Sequence, residues 1–456
     1  MTVHLRPSVV HHYVLAALLV ITAINYTQRN CVGPAATTIE RTIGVTATEL
    51  DIANGAFFLT YTLMQIPSGW LARLYGPRLV LPLYTIGWSL ALVMCGLAVE
   101  FWGLYWGRTL MGIFQAGIFP AATLILAVWY PASLRGTATA MLKSFMLLGG
   151  ATGSAVVGYL LEPVGFPYLL STPLSWRSVF LWYSLPGFVW AVWFFWWFRN
   201  RPEEHPSVNA AELALLRSGR ESDWSKQADE KKPSQPLQPP WAATSAVPVA
   251  PPSVIASRLL LALPLMLLCT QQFFRAAAPR FFEARLPTYL ETQRQLGPKE
   301  ATFLAAWPQY AGVVGGLVGG ILSDLLLRRT RSRYLARNGV AMFGLVLCLG
   351  WYLAAYFVAD VYLACMLLAA GSFFFNFSSP AAYALVIDLS GKYLPVVFGS
   401  MNMAGNFGAY ALVSLWSWMV ALNGWELALS IWLSLHAVAL VCWLLLNPSK
   451  SFGEGS

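Results

Sequence analysis

The sequence predicts an all-α integral membrane protein with twelve transmembrane helices in two six-helix halves. Three observations carry that prediction. The 456-residue chain is 57% hydrophobic but only 11% charged, whereas soluble domains are about a quarter charged. Apolar stretches recur at close to the ~20 residues that a helix needs to cross a bilayer. Lysines and arginines gather in alternate loops. The apolar runs are continuous, which excludes an outer-membrane barrel, whose strands alternate residue by residue.

The first six spans fall near 13–35, 51–73, 79–99, 102–129, 136–162 and 177–198. The second six fall near 258–289, 301–327, 335–357, 360–387, 394–422 and 426–447. The N-terminus lacks the basic leader, short apolar core and small-residue cleavage site of a secretory signal, so the first helix is expected to remain as a span. Arg6, Arg73, Arg78, Arg135, Arg199, Arg201, Arg328, Arg329, Arg331, Arg333, Lys392 and Lys450 all fall on one side. The opposite loops are sparse, with Arg41, Arg294 and Lys299 the main exceptions. Both termini are therefore expected in the cytoplasm of a bacterial-type inner membrane. Residues 1–198 form one half and 258–456 the other, joined by a cytoplasmic loop over 199–257. Within that loop Ala210 to Glu221 suits a short surface helix, and Pro233 to Pro252 is a proline-rich extended linker.

The net charge of +9 follows from the loop pattern and is not a nucleic-acid footprint. Cys31, Cys95, Cys269, Cys348, Cys365 and Cys442 lie in or beside apolar segments without CxxC spacing. They read as buried small hydrophobes, neither a disulfide framework nor a metal site. No metal or cofactor is expected, and no catalytic constellation points to an enzyme. The glycine clusters Gly149-Gly150-x-x-Gly153 and Gly315-Gly316-x-x-Gly319-Gly320 read as close helix contacts. Neither follows a strand, so neither is a nucleotide loop. His436 reads as a structural core residue, and the tryptophans as interface belts and lipid-facing bulk.

Arg29 is the most informative residue. The stretch Val14 to Ile24 is almost wholly apolar and leads into Asn25-Tyr26-Thr27-Gln28-Arg29-Asn30. From an entry near Tyr13, Arg29 lies roughly 24 Å along the helix at ~1.5 Å per residue. Its guanidinium therefore falls in the outer half of a hydrocarbon core about 30 Å thick. Arg108 lies roughly 9 Å inside the outer end of the fourth span, so both arginines are expected to converge on one cavity. The planar fork of arginine suits a bidentate grip on carboxylate or phosphate. The competing reading is a snorkelling side chain or a partner for helix carbonyls.

The halves echo each other. Gly69-Trp70-Leu71-Ala72-Arg73 follows the second span, and Gly320-Ile321-Leu322-Ser323-Asp324 the eighth. Gly-x-x-x-Asp before a basic loop resembles the cytoplasmic motif of the major facilitator superfamily, with Arg328 and Arg329 as the basic residues. In the first half Arg73 stands at the aspartate position, which removes the usual carboxylate. Further features are Asn25-Tyr26-x-x-Arg29, Arg108-x-x-x-Gly112, Trp176-Arg177, Arg201-Pro202-Glu203-Glu204-His205-Pro206 and Leu286-Pro287-Thr288-Tyr289-Leu290. Together they resemble the anion:cation symporter family, which includes bacterial sugar-acid transporters, sialin and vesicular glutamate transporters. The resemblance covers nearly the whole chain. It implies a midplane site between two parallel six-helix repeats, with Arg29 and Arg108 binding or gating an anion.

Two departures from the resemblance bear on coupling. Gln28 and Gln115 stand where proton-coupled relatives carry an aspartate and a glutamate, and an amide does not titrate. The remaining carboxylates near the spans are Asp51, Glu283 and Asp388. Glu283 is a helical neighbour of Arg280 and reads as its ion-pair partner. Lys143 in the fifth span either snorkels or adds charge to the cavity. Tyr26 shares a face with Arg29. The resemblance further implies that Gln272, Ser378, Ser379 and Asn402 contact substrate hydroxyls; the competing reading for each is interhelical glue. Asn25 and Asn406 complete the neutral candidates.

The expected function is alternating-access transport of a small organic anion, a sugar acid or other carboxylate, in a monomer. Without a mid-membrane carboxylate, anion exchange is favoured over proton symport. The alternatives are an organophosphate/phosphate antiporter, with Arg275 or Arg280 supplying a second arginine, and a proton symporter with a relocated carboxylate.

Overall fold

A computed structural model of the protein describes residues 7–161, 174–216, 263–284, 286–390 and 393–446, and these are almost wholly helical. The first six spans begin with α1 (Val10–Asn30) and α2 (Val32–Ile43), then α3 (Ala47–Leu63) and α4 (Gln65–Tyr75), then α5 (Pro77–Gly96). They continue with α6 (Phe101–Gln115) and α7 (Ile118–Trp129), α8 (Ala132–Leu161) and α9 (Trp176–Trp197). A short helix, α10, covers 210–216. The remaining spans are α11 (Leu263–Ala284) with α12 (Leu286–Arg294), α13 (Pro298–Thr330), α14 (Val340–Phe357), α15 (Val361–Phe377) with α16 (Ser379–Ser390), and α17 (Leu394–Leu445). A π turn at Tyr334–Gly339 leads into α14. One expectation is corrected: α17 runs through both of the last two spans, and the turn expected near 423–425 is itself helical. After Pro395 that helix contains no proline to break its hydrogen-bond ladder. The proline-rich part of the central loop lies outside the described residues.

Among the described residues, four spans are interrupted in mid-helix, at Cys31, Met64, Ala116–Gly117 and Ser378. Pro34, Pro67, Pro120 and Pro380 follow these points by two or three residues. A helical proline has no N–H for the carbonyl four residues back and clashes with it. Helix ends inside a membrane free backbone groups for ligands and side chains. Arg29, Gln65, Gln115 and Ser378 stand at or beside these breaks.

The chain forms two compact units, Met1–Pro131 with Leu142–Val249, and Ala132–Met141 with Ala250–Ser456. In the first, α3 packs on α6, while α5 packs on α6 and α9. A Cβ on Gly112 would meet the Phe57 carbonyl oxygen at 2.4 Å, so glycine is what lets α6 lie against α3. Gly149 and Gly153 do the same for α8 against Ala23 and Thr27 of α1. In the second unit α11 packs on α17 and α13 on α15, where Gly315 and Gly319 press on the carbonyls of Phe373 and Phe377.

In the first unit α10 docks on the start of α1. Glu212 is fully buried and its carboxylate accepts from the His11 backbone N–H at 2.9 Å, the His11 ring at 2.5 Å and the Ser8 hydroxyl. A carboxylate at a helix N-terminus satisfies orphan N–H groups and the helix dipole together. Burial by itself would push the Glu212 carboxyl up, but the hydrogen bonds from Ser8 and His11 hold it below the ordinary carboxylate range.

Candidate functional site

The candidate site in the first unit is built on α1, α3 and α6. Arg29 ends α1 and is 7% exposed. Its guanidinium carbon lies 4.5 Å from the ring centroid of Tyr61, 4.7 Å from Phe57, and 5.2 Å from both Tyr26 and Phe58. It also donates to the Tyr26 hydroxyl at 3.3 Å. Arg108 on α6 sits 4.5 Å from the Phe57 centroid. One phenyl ring therefore serves both guanidiniums.

Aromatic faces attract cations, each contact being worth about 0.5–2 kcal/mol according to its burial. They do not neutralise them. Arg108 donates to the Arg29 carbonyl at 3.1 Å and to Met111 Sδ at 3.4 Å, while its Nε has no partner. Among the described residues, no carboxylate lies within salt-bridge distance of either arginine. The result is a buried, doubly cationic position that an anion would compensate.

Other sequence-predicted residues join it. Gln115 donates to the Asn25 carbonyl at 3.4 Å, which leaves the Gln115 Oε1 and the Asn25 Nδ2 without partners. Tyr26 also approaches α8: a Cβ on Gly150 would lie 3.7 Å from its ring. Gln28 stands elsewhere. It is fully buried, accepts from Trp88 Nε1 at 2.6 Å and donates to the Tyr183 carbonyl at 2.6 Å. Its amide clamps α1 to α5 and α9, and a carboxylate there would have no donor for Tyr183. Lys143 is half-buried on α8.

The sequence reading missed Phe57, Phe58 and Tyr61. Phe57, Tyr61 and Gln65 are spaced four residues apart, a single helix face carrying two rings and an amide through a span. That stripe was the available signal.

In the second unit Gln272 is buried and donates to the Tyr383 hydroxyl at 3.2 Å, with Oε1 unpartnered. Ser378 gives its hydroxyl to the Phe375 carbonyl at 2.7 Å. Ser379 is buried and Asn402 half-buried. Arg275 is 5% exposed. The side chains of Arg280 and Glu283, and all of Arg285, lie outside the described residues. Asp51 is exposed.

The motif residues form a separate cluster in the second unit. Asp324 accepts from the backbone N–H groups of Gly136 at 3.0 Å and Thr137 at 2.6 Å, in the second turn of α8. Arg337 donates to Asp324 at 3.0 Å and to Asp388 at 3.3 Å, and Arg135 pairs with Asp388 at 2.8 Å. The arginine partnering the motif carboxylate is thus Arg337, not Arg328, which is exposed and reaches the Ser133 carbonyl at 3.3 Å. Arg337 is fully buried, where pairing is worth most. Asp388 is held by two arginines. Gly320 lets the segment approach: a Cβ there would meet the Gly136 carbonyl at 2.7 Å. Gly69 and Arg73 of the first-half counterpart are both buried on α4.

The sequence pattern of the Major Facilitator Superfamily matches residues 18–335. The chain is 29% identical over 440 residues to the probable sulfoacetate transporter of Cupriavidus necator, covering 96% of this chain and 94% of that one. It is 26% identical to the probable galactarate/D-glucarate transporter of Bacillus subtilis, covering 97% and 93%. It is likewise 26% identical to a D-galactonate transporter of Escherichia coli, covering 96% and 94%. Among solved structures, a proton:xylose symporter superposes with a TM-score of 0.68 at 12% identity, each chain covered to 96%. The FucP transporter in its outward conformation gives 0.67 at 14%, covering 96% and 99%. On the sequence match, the nearly all-helical fold and the buried polar machinery inside its spans, this chain belongs to the major facilitator superfamily and is an integral membrane transporter, not an enzyme.

Proposed function

We propose that the protein carries a small organic anion, a sugar acid or a related carboxylate or sulfonate, across a bacterial inner membrane by alternating access. The observation that carries the reading is the pair of buried guanidiniums against the one Phe57 ring, with no carboxylate partner among the described residues. Charge placed inside a membrane without a partner is expensive and is kept where it works. Arg29 and Arg108 would grip the anionic group, and Asn25, Gln115 and Tyr26 would orient the rest. The relatives' cargoes, sulfoacetate, galactarate, D-glucarate and D-galactonate, are all of this chemistry.

In this reading the 1–198 and 258–456 halves are joined by the 199–257 linker, both termini are cytoplasmic and a monomer suffices. The mode is exchange of one anion for another. Gln28 and Gln115 carry no proton, Asp388 is held by Arg135 and Arg337, and Gln28 is committed to holding α1.

Proteoliposomes containing the purified protein test both levels. Uptake of labelled D-glucarate or sulfoacetate, accelerated by internal unlabelled anion and lost in Arg108→Gln, is the expected result. Uptake that needs an inward proton gradient and acidifies the lumen would reject exchange. Absence of uptake for every carboxylate and sulfonate, with uptake of sugar phosphates, would reject the substrate class in favour of the organophosphate reading.

A further inference from the structure

An apolar trough runs along the surface of the first unit, between α1 and α9. Tyr13, Ala16, Val20 and Ile24 line it from one helix. Trp182, Val189, Trp193 and Trp197 line it from the other. Spacings of three and four residues put most of each set on one helix face. The small side chains of Ala16 and Ala17 open the space, and Pro186 interrupts the α9 ladder beside it. Trp190 crosses the floor and donates its indole N–H to the Ala17 carbonyl at 3.1 Å. Trp193 and Trp197 stack at 5.0 Å as one wall. The rim is open, with Tyr13 61% exposed and Trp182 65% exposed. The cavity measures about 820 Å³, within the range of about 300–1,000 Å³ typical of small-molecule sites.

The dimensions select a hydrocarbon chain. From Tyr13 to Ile24 the trough extends roughly 16 Å, at ~1.5 Å per residue. That is close to one leaflet of a hydrocarbon core about 30 Å thick. Spread over that length, the volume gives a cross-section of about 50 Å², below the ~80 Å² of a helix 10 Å across. A helix from a second copy is too wide for it, and an acyl chain is not.

One end carries charge. Arg199 follows Trp197 by two residues, and its Nη1 donates to the carbonyls of Trp196, Trp197 and Phe198 at 2.7, 3.4 and 3.0 Å. These bonds anchor the guanidinium at the Trp197 end of the trough and leave Nε and Nη2 for an anion. The positive-inside pattern makes this the cytoplasmic end, and tyrosine and tryptophan rings favour the headgroup depth there. Guanidinium donors match phosphate oxygens.

We propose that the trough binds an acyl chain of an anionic phospholipid of the cytoplasmic leaflet, with Arg199 holding the headgroup phosphate. This goes beyond the cargo reading and does not depend on it.

The test measures lipid retention on purified, delipidated full-length protein by native mass spectrometry. Palmitoyl-oleoyl phosphatidylglycerol and the matching phosphatidylcholine are added in turn at equal concentration. Wild type is expected to retain one phosphatidylglycerol with a roughly fivefold preference, the weight of one arginine beside an anionic headgroup. Arg199→Gln should lose that preference while still retaining phosphatidylcholine at the wild-type level, and Arg199→Lys should recover most of it. Ala16→Trp, or Val20→Trp further along, fills the trough and should remove the lipid at an unchanged melting midpoint. Equal retention of the two lipids by wild type would overturn the proposal. So would a preference that survives Arg199→Gln, or lipid that stays bound in both folded tryptophan variants. Loss of both lipids in Arg199→Gln with a lowered midpoint would mark that residue as a helix cap only and overturn its headgroup role. Wild-type dimers that become monomers in Ala16→Trp would assign the trough to a second copy instead.

Discussion

Replacing Arg29 with glutamine should damage ligand binding far more than folding. The two guanidinium carbons lie 4.7 and 4.5 Å from the Phe57 centroid. They are therefore no more than about 9 Å apart, where like charges repel by about 2 kcal/mol at an effective dielectric of ~20. Arg29→Gln relieves that repulsion and the several-kcal/mol cost of burying an unpaired ion, and forfeits four ring contacts that together are worth about 2–8 kcal/mol. These terms oppose each other, so the unliganded stability should shift modestly. Binding has no such offset. A hydrogen bond to a charged group contributes about 1.5–3 kcal/mol, so losing it raises the dissociation constant roughly 10- to 150-fold. At a ligand concentration 100 times the wild-type dissociation constant, wild type gains about 2.7 kcal/mol. The variant would gain only about 0.3–1.4 kcal/mol at that same concentration. Thermal unfolding in detergent, with and without D-glucarate or sulfoacetate, reads this directly. Arg29→Lys keeps the charge without the planar fork and should fall between the two. A ligand-induced shift in Arg29→Gln equal to that of wild type would refute the arginine clamp.

Gln28→Leu should lower the melting midpoint through the loss of its bonds to Trp88 and Tyr183, about 1–2 kcal/mol for two buried hydrogen bonds, while anion affinity changes little. A large affinity loss at unchanged stability would return Gln28 to the substrate. Gly112→Val should impair folding or transport because its Cβ would meet the Phe57 carbonyl at 2.4 Å; wild-type levels of folded, active protein would show that α6 yields. Asp324→Ala leaves Arg337 with one carboxylate and strips two backbone donors of α8, so a stability loss of about 3–5 kcal/mol is expected in unfolding measurements. Glu212→Gln tests the docking of α10. Because the folded carboxyl titrates below its ordinary range, its stabilisation is present at neutral pH and is lost as pH falls below about 4.5 through the depressed value. The midpoints of wild type and Glu212→Gln should therefore differ at pH 7 and converge as the pH falls through the depressed value; a difference constant with pH would contradict the assignment.

The spans were legible because crossing a bilayer demands long apolar helices, and the intramembrane arginines because charge there is rare. The helix breaks were not read from the sequence, although Pro34, Pro67, Pro120 and Pro380 sit beside them. What the arginines face was not legible. Phe57 is one of 26 phenylalanines, and nothing local distinguishes it from lipid-facing bulk until α6 lies against α3. Gln28 was singled out because proton-coupled relatives carry an aspartate there beside Arg29, yet neighbours in a helix point about 100° apart, and it turns to Trp88 and Tyr183. The sequence placed Asp324 before a basic loop but named no partner for it; the partner is Arg337, whose place among Asp324, Asp388 and Ser323 comes from packing.

The sequence by itself determined the membrane class, the approximate positions of most spans and the presence of intramembrane cations, because each follows from local composition. Only the tertiary structure decided which polar groups are spent and which are left over. Gln28, Asp388 and Ser378 are consumed by protein partners, while atoms of Arg108, Gln271, Gln272 and Arg275 have none. Satisfaction of a buried polar group depends on what neighbouring helices bring within about 3 Å of it, and that is a property of packing.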